Sequence, residues 1–447
     1  MSYPLANDSF PVVLIVGAGL GGLMLGALLE SANISYHILE RVSEAREFGA
    51  AISISGNILP VFEQLGIYED LKNISLPYLG TEFFDLKLNQ VGFVEGIGHK
   101  KSCGYDFLFL SRPKLYTLLR GLIPDNKITM GKRVLFTKEH DEIVDVYCSD
   151  DTMYECNILV GADGAHSAVR QNMYKQLEQK GKLPLRDKDD LMIGYITTLG
   201  IATPRVPEKY PELSIDRSFF RVIIGENSES CAINTVADKQ VSWMVTTQVS
   251  AAKAKEQRFR NSEWGPESVE NVLKEFRDYP CSLGGTMKDL FDATPKDQVS
   301  RVFLEEKVFE TWQNGRTVLL GDACHKLFPG AGQGAVMAMK DAVVLANCIY
   351  AMKDLTTKSV VAGFDNYYKQ RFPEAEVQAK NSDILTKVLF GQKKMDKFSR
   401  HLMLHFLPYW VIQRKLDSDL AYRPQVNWLP MIETRGTGKV LPQEGRN

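Results

Sequence analysis

Hydrophobic and polar positions recur with different periods along the chain, and the periods predict its elements. Val12 to Val16 is an unbroken apolar run rich in β-branched residues, the pattern of a parallel strand buried on both faces. After a glycine turn, Leu23, Leu25, Leu28 and Leu29 give apolar surface to a helix, and Ser35 to Leu39 reads as a second strand. Pro60 to Leu71 has helical spacing through Val61, Phe62, Leu65, Ile67 and Leu71. Thr81 to Phe93 predicts strands joined near Asn89-Gln90. Pro113 opens a helix with Leu115, Leu118, Leu119 and Leu122 on one side. Lys127 to Thr137 and Ile143 to Cys148 predict strands of a small sheet, and Ile158 to Val160 and Val318 to Leu320 short buried strands. Between these last two, Leu191 to Ile201, Phe219 to Gly225, Ser230 to Val236 and Val241 to Gln248 predict a mostly antiparallel sheet. The charged stretch Ala251 to Arg260 reads as an exposed helix or loop. Ser268 to Phe276 is amphipathic, a long helix is expected from Gln333 to about Met352, and the remainder is largely helical.

The α/β pieces thus lie at the start, near 160 and near 320. A β-rich insertion separates them and helices follow. That layout implies a dinucleotide-binding domain assembled from distant parts of the chain, with a second domain laid over it.

Composition narrows this little. The chain has 447 residues, 44% hydrophobic and 24% charged, as in a multi-domain globular enzyme. A net charge of −2 gives no reason to expect a nucleic-acid partner. The seven cysteines form no CxxC pair and no metal-ligand spacing with histidine, so a reduced compartment and no metal are expected. The N-terminal residues lack the regions of a signal peptide, and Asn-x-Ser at Asn7, Asn33 and Asn73 reads as chance. His401 to Ile412 comes nearest to a membrane span but is too short and is interrupted by Pro408. It is a packing helix or, alternatively, an interfacial patch. The expected location is cytoplasmic, with membrane association open.

Three stretches carry candidate chemistry. Gly17-x-Gly19-x-x-Gly22 lies between the first strand and its helix, and the second strand ends in Glu40. In that setting the glycines permit a tight turn, backbone approach to a pyrophosphate and close helix packing, while the acid suits the ribose hydroxyls. The second stretch, Gly161-Ala162-Asp163-Gly164 through Arg170, is a strand end, an acidic turn and a helix start. It can hold backbone against a pyrophosphate or a second nucleotide, with Arg170 adding positive charge; a solvated turn is the alternative. The third runs from Gly315 to Ala342: a buried strand delivers Asp322, Pro329 and three glycines follow, and a helix opens near Gly334. The positive end of that helix suits negative charge.

Together the three stretches resemble the group A flavoprotein monooxygenases, the family of para-hydroxybenzoate hydroxylase, in order and spacing from about Val12 to Ala346. Within it, Tyr195 in GYITTLGIA and YRPQVNWLP near the C-terminus resemble fungal secondary-metabolite epoxidases and hydroxylases. The resemblance implies an α/β fold: a Rossmann-like FAD-binding domain from residues 1–80, 111–185 and 301–352. A β-rich substrate domain would comprise 81–110 and 186–300, and a helical C-terminal region 353–447. Glu40 would bind the adenine ribose of FAD and Gly17, Gly19 and Gly22 its pyrophosphate. Ala51 would approach the flavin through its backbone, and Arg112 would bind the FAD chain. Asp163 would serve FAD and NAD(P)H, and Asp322 the ribityl or pyrophosphate region. Gly334 and Ala335 would face the isoalloxazine. Tyr195, and less directly Arg170, would act on the substrate side. Val336 stands where the family often has Asn.

The implied reaction is oxygen transfer from a flavin C4a-hydroperoxide, formed with NADH or NADPH and O2, to a small lipophilic or aromatic metabolite by hydroxylation or epoxidation. Peripheral membrane contact through the C-terminal region remains an open alternative. His325 is read as part of the loop rather than as a catalyst, and Cys324 beside it does not make a nucleophile pair. Two other readings stand beside this one: a flavin reductase or dehydrogenase of an isoprenoid, and a non-catalytic prenyl-binding protein of related fold.

Overall fold

The computed structural model describes residues 10–44, 51–96, 98–189, 191–249, 266–327, 332–390 and 394–443. The expected segments Ala251–Arg260 and Pro329–Ala331 therefore lie outside the described residues.

Val13–Val16 is wholly buried, as a strand without polar side chains requires. It lies inside a six-stranded sheet that runs Gln313–Asn314, Thr317–Leu319, Ile158–Gly161, Val13–Val16, Tyr36–Leu39 and Ile128–Thr129. Val13 pairs in parallel with Tyr36 on one side and Ile158 on the other. Strands from three distant stretches of chain thus share one hydrogen-bonded layer. The helix Leu20–Ser31 leaves the first strand, and Gly21 lets it approach Leu320 and Ala338 closely: a Cβ there would sit 2.6 Å from Leu320 Cδ2. Val134–His140, Ile143–Cys148 and Met153–Cys156 form a separate three-stranded antiparallel sheet.

The predicted β-rich run forms the middle of a ten-stranded sheet. Its order is His325–Lys326, Ser300–Val308, Met192–Ala202, Gln240–Gln248, Glu229–Val236, Ser218–Ile224, Ser75–Phe84, Leu108–Ser111 and Ala51–Ile54. Gln90–Glu95 is added on Ser75–Phe84, and the pairing of Ser75–Phe84 with Ser218–Ile224 is parallel. One face, with Ile223, Ile233 and Trp243, packs on Phe276, Leu290 and Phe291 of the helices Pro266–Phe276 and Met287–Asp292. The other face carries Phe220, Val222, Ala232 and Met244. The sheet curls over this second face. Ala51, on an edge strand, donates its N–H to Ser242 Oγ in the middle of the sheet at 2.9 Å.

Two helical expectations differ from the structure. The helix expected over Pro60–Leu71 is two, Leu59–Gln64 and Tyr68–Asn73, because Gly66 adopts φ +73° and ends the first. His401–Ile412 is split at Pro408 into the ends of Lys394–Phe406 and Tyr409–Asp419. Beyond them the chain returns to the N-terminal half. Trp428 Nε1 donates to Ser31 Oγ at 3.1 Å, and Val426 N–H to Gln64 Oε1 at 2.8 Å.

Candidate flavin and substrate site

The glycine turn is held by its own sequence. Gly17 adopts φ +109°, and a Cβ there would strike the carbonyl oxygen of Ala162; a Cβ on Gly22 would strike that of Gly17. Strand, turn and helix can meet only without those side chains. Gly19, at the mouth of the helix, faces open space instead, with no atom within 4 Å of a built Cβ. No side chain caps this helix end and no acid lies in its first turn, so its N–H groups point at that space. Glu40 sits beside it. Its carboxylate accepts from Ala18 N at 2.7 Å and Val42 N at 3.0 Å, which fixes its direction and leaves lone pairs for a further donor.

The second stretch is braced rather than solvated. Asp163 Oδ2 accepts from Ala168 N at 2.6 Å and Val169 N at 3.2 Å, capping the helix Ala168–Gln179. Its Oδ1 is buried without a partner, and burial raises the carboxyl pKa. Arg170 is 6% exposed and both terminal nitrogens of its guanidinium are engaged. Nη1 bonds Ala323 O at 2.8 Å and Nη2 bonds Ala165 O at 2.6 Å, while the guanidinium lies 4.1 Å from the centre of the Phe309 ring. Arg170 thus ties the Asp163 turn to the Asp322 loop.

Asp322, on the loop after the strand Thr317–Leu319, is partly exposed. Its Oδ2 accepts from Lys326 Nζ at 2.6 Å, and its charge acts on Arg112 at the start of the helix Arg112–Arg120. The same carboxylate raises the pKa of Lys326. Lys326 carried no role in the sequence reading; its signal is the i, i+4 spacing from Asp322.

The helix Gly334–Tyr350 also begins without a side-chain cap or an acid in its first turn, and Gly334 faces open space. Just before it, Gly332 has φ +64° and accepts from Ser53 Oγ through its carbonyl at 3.3 Å. Ala51, Ser53, Gly332 and Ser242 therefore converge at the foot of this helix, beside the inner face of the curled sheet. Phe109 and Phe220 stack there, 5.9 Å between centres. Tyr195 is half-buried, at a bulge after Ile193, opposite Gln248 and Leu304. Two-residue alternation puts it on the side of Thr197, whose Oγ1 meets Thr246 Oγ1 at 2.6 Å on the inner face. A cavity of about 600 Å³ is lined by Ser111, Pro113, Lys114, Thr117, Asp238 and Gln240.

Behind the site is a charged network that the sequence reading did not assign. Asp341 is 0% exposed. Its Oδ2 contacts His325 Nε2 at 2.5 Å and accepts from Gly321 N at 3.1 Å; Oδ1 accepts from Arg371 Nε at 2.6 Å. Arg371 and the buried Lys340 both pair with Glu374. Burial pushes the Asp341 pKa up, but His325 and Arg371 more than offset it and hold it at about 2. Cys324, His325 and Asp341 place ligand-type atoms within 4.8 Å of one another, but both oxygens of Asp341 are already taken. Lys340-Asp341 inside an apolar helix was the available signal, since charges there need partners.

These features suit FAD. Two uncapped helix ends face open space at Gly19 and Gly334, and each can receive negative charge. Carboxylates at Glu40 and Asp322 keep acceptors for hydroxyls. Comparison with known proteins agrees. The family model for the FAD binding domain matches residues 11–382. FAD-dependent monooxygenase ptmM of Penicillium ochrochloron is 31% identical over 363 residues, 77% of this chain and 79% of that protein. FAD-dependent monooxygenase atmM of Aspergillus flavus is 26% identical across 97% of this chain and 89% of its own. Among solved structures, Klebsiella pneumoniae HpxO complexed with FAD and uric acid superposes with TM-score 0.73 at 20% identity, covering 92% of this chain and 97% of HpxO.

Proposed function

Given that the chain belongs to the FAD-binding-domain family and is an FAD-dependent monooxygenase, we propose that NAD(P)H and O2 are its co-substrates and a small lipophilic or aromatic secondary metabolite its acceptor. The observation that carries this reading is the convergence of Ala51, Gly332 and the Gly334 helix end on an apolar, inward-curled sheet face.

Bound FAD supplies hydride acceptance and, once reduced, activation of O2 for transfer of one oxygen atom. The protein's part is to bind, orient and keep out water. Gly17, Gly19 and Gly22 admit the pyrophosphate and Glu40 takes the adenine ribose. Arg112 binds the FAD chain, and Asp322 binds the ribityl or pyrophosphate region. Asp163 holds its turn in shape for FAD and for NAD(P)H. The N–H groups at Gly334 and Ala335 stabilise negative charge on the ring edge, and the backbone at Ala51 borders it. Arg170 is a positioning residue, since its donors hold the carbonyls of Ala323 and Ala165. Tyr195 orients substrate from the inner face, where Phe220, Val222 and Met244 exclude water.

The test is incubation of the purified protein with NADPH, isotope-labelled oxygen and terpenoid or indole-type metabolites. A product heavier by one labelled oxygen atom is expected. NADPH oxidation that proceeds without O2, with a product lacking that atom, overturns the proposal in favour of an isoprenoid reductase.

A further inference from the structure

Two helices near the C-terminus keep most of their large apolar side chains exposed. No described residue of Lys394–Phe406 or Tyr409–Asp419 is fully buried, although both are rich in large apolar side chains. Met395, Phe398, Leu402 and Phe406 are 70%, 57%, 43% and 66% exposed, and Tyr409 and Trp410 extend the surface at 49% and 65%. At 3.6 residues per turn the first four fall in one stripe, about 80° wide. Leu404 lies on the opposite side of the same helix. It packs on the ten-stranded sheet, where a Cβ added at Gly92 would meet its Cδ1 at 2.8 Å, and it joins the cluster of Phe83, Val222 and Ala232. The helix is thus seated on the protein by one face and turns an aromatic and aliphatic stripe outward.

The two helices carry an excess of positive charge. Over them Lys394, Lys397, Arg400, Arg414 and Lys415 outnumber Asp396, Asp417 and Asp419; Asp417 is turned to Ser102, and Asp419 pairs with Lys415. An isologous contact between copies would bring two such cationic surfaces together. An anionic bilayer complements them and accepts the aromatic residues at its interface. No helix among the described residues is long and apolar enough to cross a membrane, and the break at Pro408 leaves two short helices suited to lying on one.

We propose that this surface docks on anionic phospholipid bilayers. Phe398, Leu402, Phe406 and Trp410 enter the headgroup–acyl boundary, and Lys394 and Arg414 meet the phosphates. The proposal does not depend on the reaction assigned above, because its readout is binding rather than turnover.

The full chain is sedimented with vesicles of phosphatidylcholine alone and of phosphatidylcholine with phosphatidylserine, at low and high salt. Binding to the serine-containing vesicles is expected to be about tenfold stronger at low salt and to fall as salt rises. Phe398→Ser/Phe406→Ser/Trp410→Ser, checked for parental flavin content and melting temperature, is expected to lose binding about tenfold or more. Should that variant unfold, brominated lipid decides the matter on the parent chain: tryptophan fluorescence is quenched if Trp410 inserts. A parent chain that stays in the supernatant, a well-folded variant that binds equally, or fluorescence that brominated vesicles leave unchanged overturns the proposal. So does a dimer, found by sedimentation velocity without lipid, that the triple variant dissolves.

Discussion

Asp341 on the Gly334 helix meets His325 of the Asp322 loop at 2.5 Å, with both residues almost wholly removed from solvent. The same carboxylate holds Arg371 of the helix Thr357–Phe390, so three elements meet on one ionised group. Asp341→Asn leaves Arg371 short of a counter-charge in the core. A loss of about 3–5 kcal/mol in unfolding free energy is expected, accompanied by release of flavin during desalting. A melting temperature equal to the parent's refutes this role.

Gly17 and Gly19 separate fold from binding. Gly17→Ala forces a side chain into a φ of +109° and onto Ala162, so both stability and flavin retention should fall. Gly19→Ala meets nothing within 4 Å and has φ −72°, so the protein should fold within about 0.5 kcal/mol of the parent. Its methyl occupies the space assigned to the pyrophosphate, and FAD affinity should fall about tenfold, read from flavin fluorescence. Equal flavin affinity in the Gly19 variant counts against that placement.

Arg170 is tied to two carbonyls rather than facing open space. Arg170→Lys keeps the charge but not the fork. The expected loss is about 2 kcal/mol in stability, with weaker flavin binding and an unchanged KM for the oxygen acceptor. A raised KM with normal stability would return Arg170 to a direct substrate role.

Tyr195→Phe keeps the ring and removes the hydroxyl. If Tyr195 orients substrate, the flavin Kd stays that of the parent while the fraction of NADPH converted to oxygenated product falls several-fold. Stopped-flow reduction and product counting separate the two quantities, and unaltered coupling refutes the assignment.

His99 stacks on Phe107 with centres 4.6 Å apart, and burial lowers its pKa from 6.5 to about 4. The folded form therefore binds the proton less well than the unfolded chain. Stability should be lost as pH falls from about 6.5 to 4. The ring is partly exposed, and solvent screening brings the expected loss to about 2 kcal/mol. Unfolding of the parent and of His99→Gln across that range tests it, the variant showing the shallower dependence.

The sequence by itself determined what depends on neighbours along the chain. Val12–Val16, the glycines at 17, 19 and 22 and Glu40 build strand, turn and helix within one short unit, and the turn works only with glycine at Gly17 and Gly22. β-rich runs from 191 to 248, separated by polar turns, likewise located the sheet interior, because strand propensity and turn residues are local properties. Tertiary structure decided what those units face. The curl that brings Ala51 onto Ser242 joins residues 191 positions apart, and no local pattern encodes it. Arg170 reads in sequence as a free cation beside an acidic turn; in the fold its donors are taken by Ala323 and Ala165. Asp341 reads as a charge beside Lys340 in an apolar helix, and only the arrival of His325 and Arg371 from separate elements makes it the joint behind the site. Each of these outcomes depends on which distant group the folded chain brings within hydrogen-bond reach, and that is a property of the packing rather than of any one stretch.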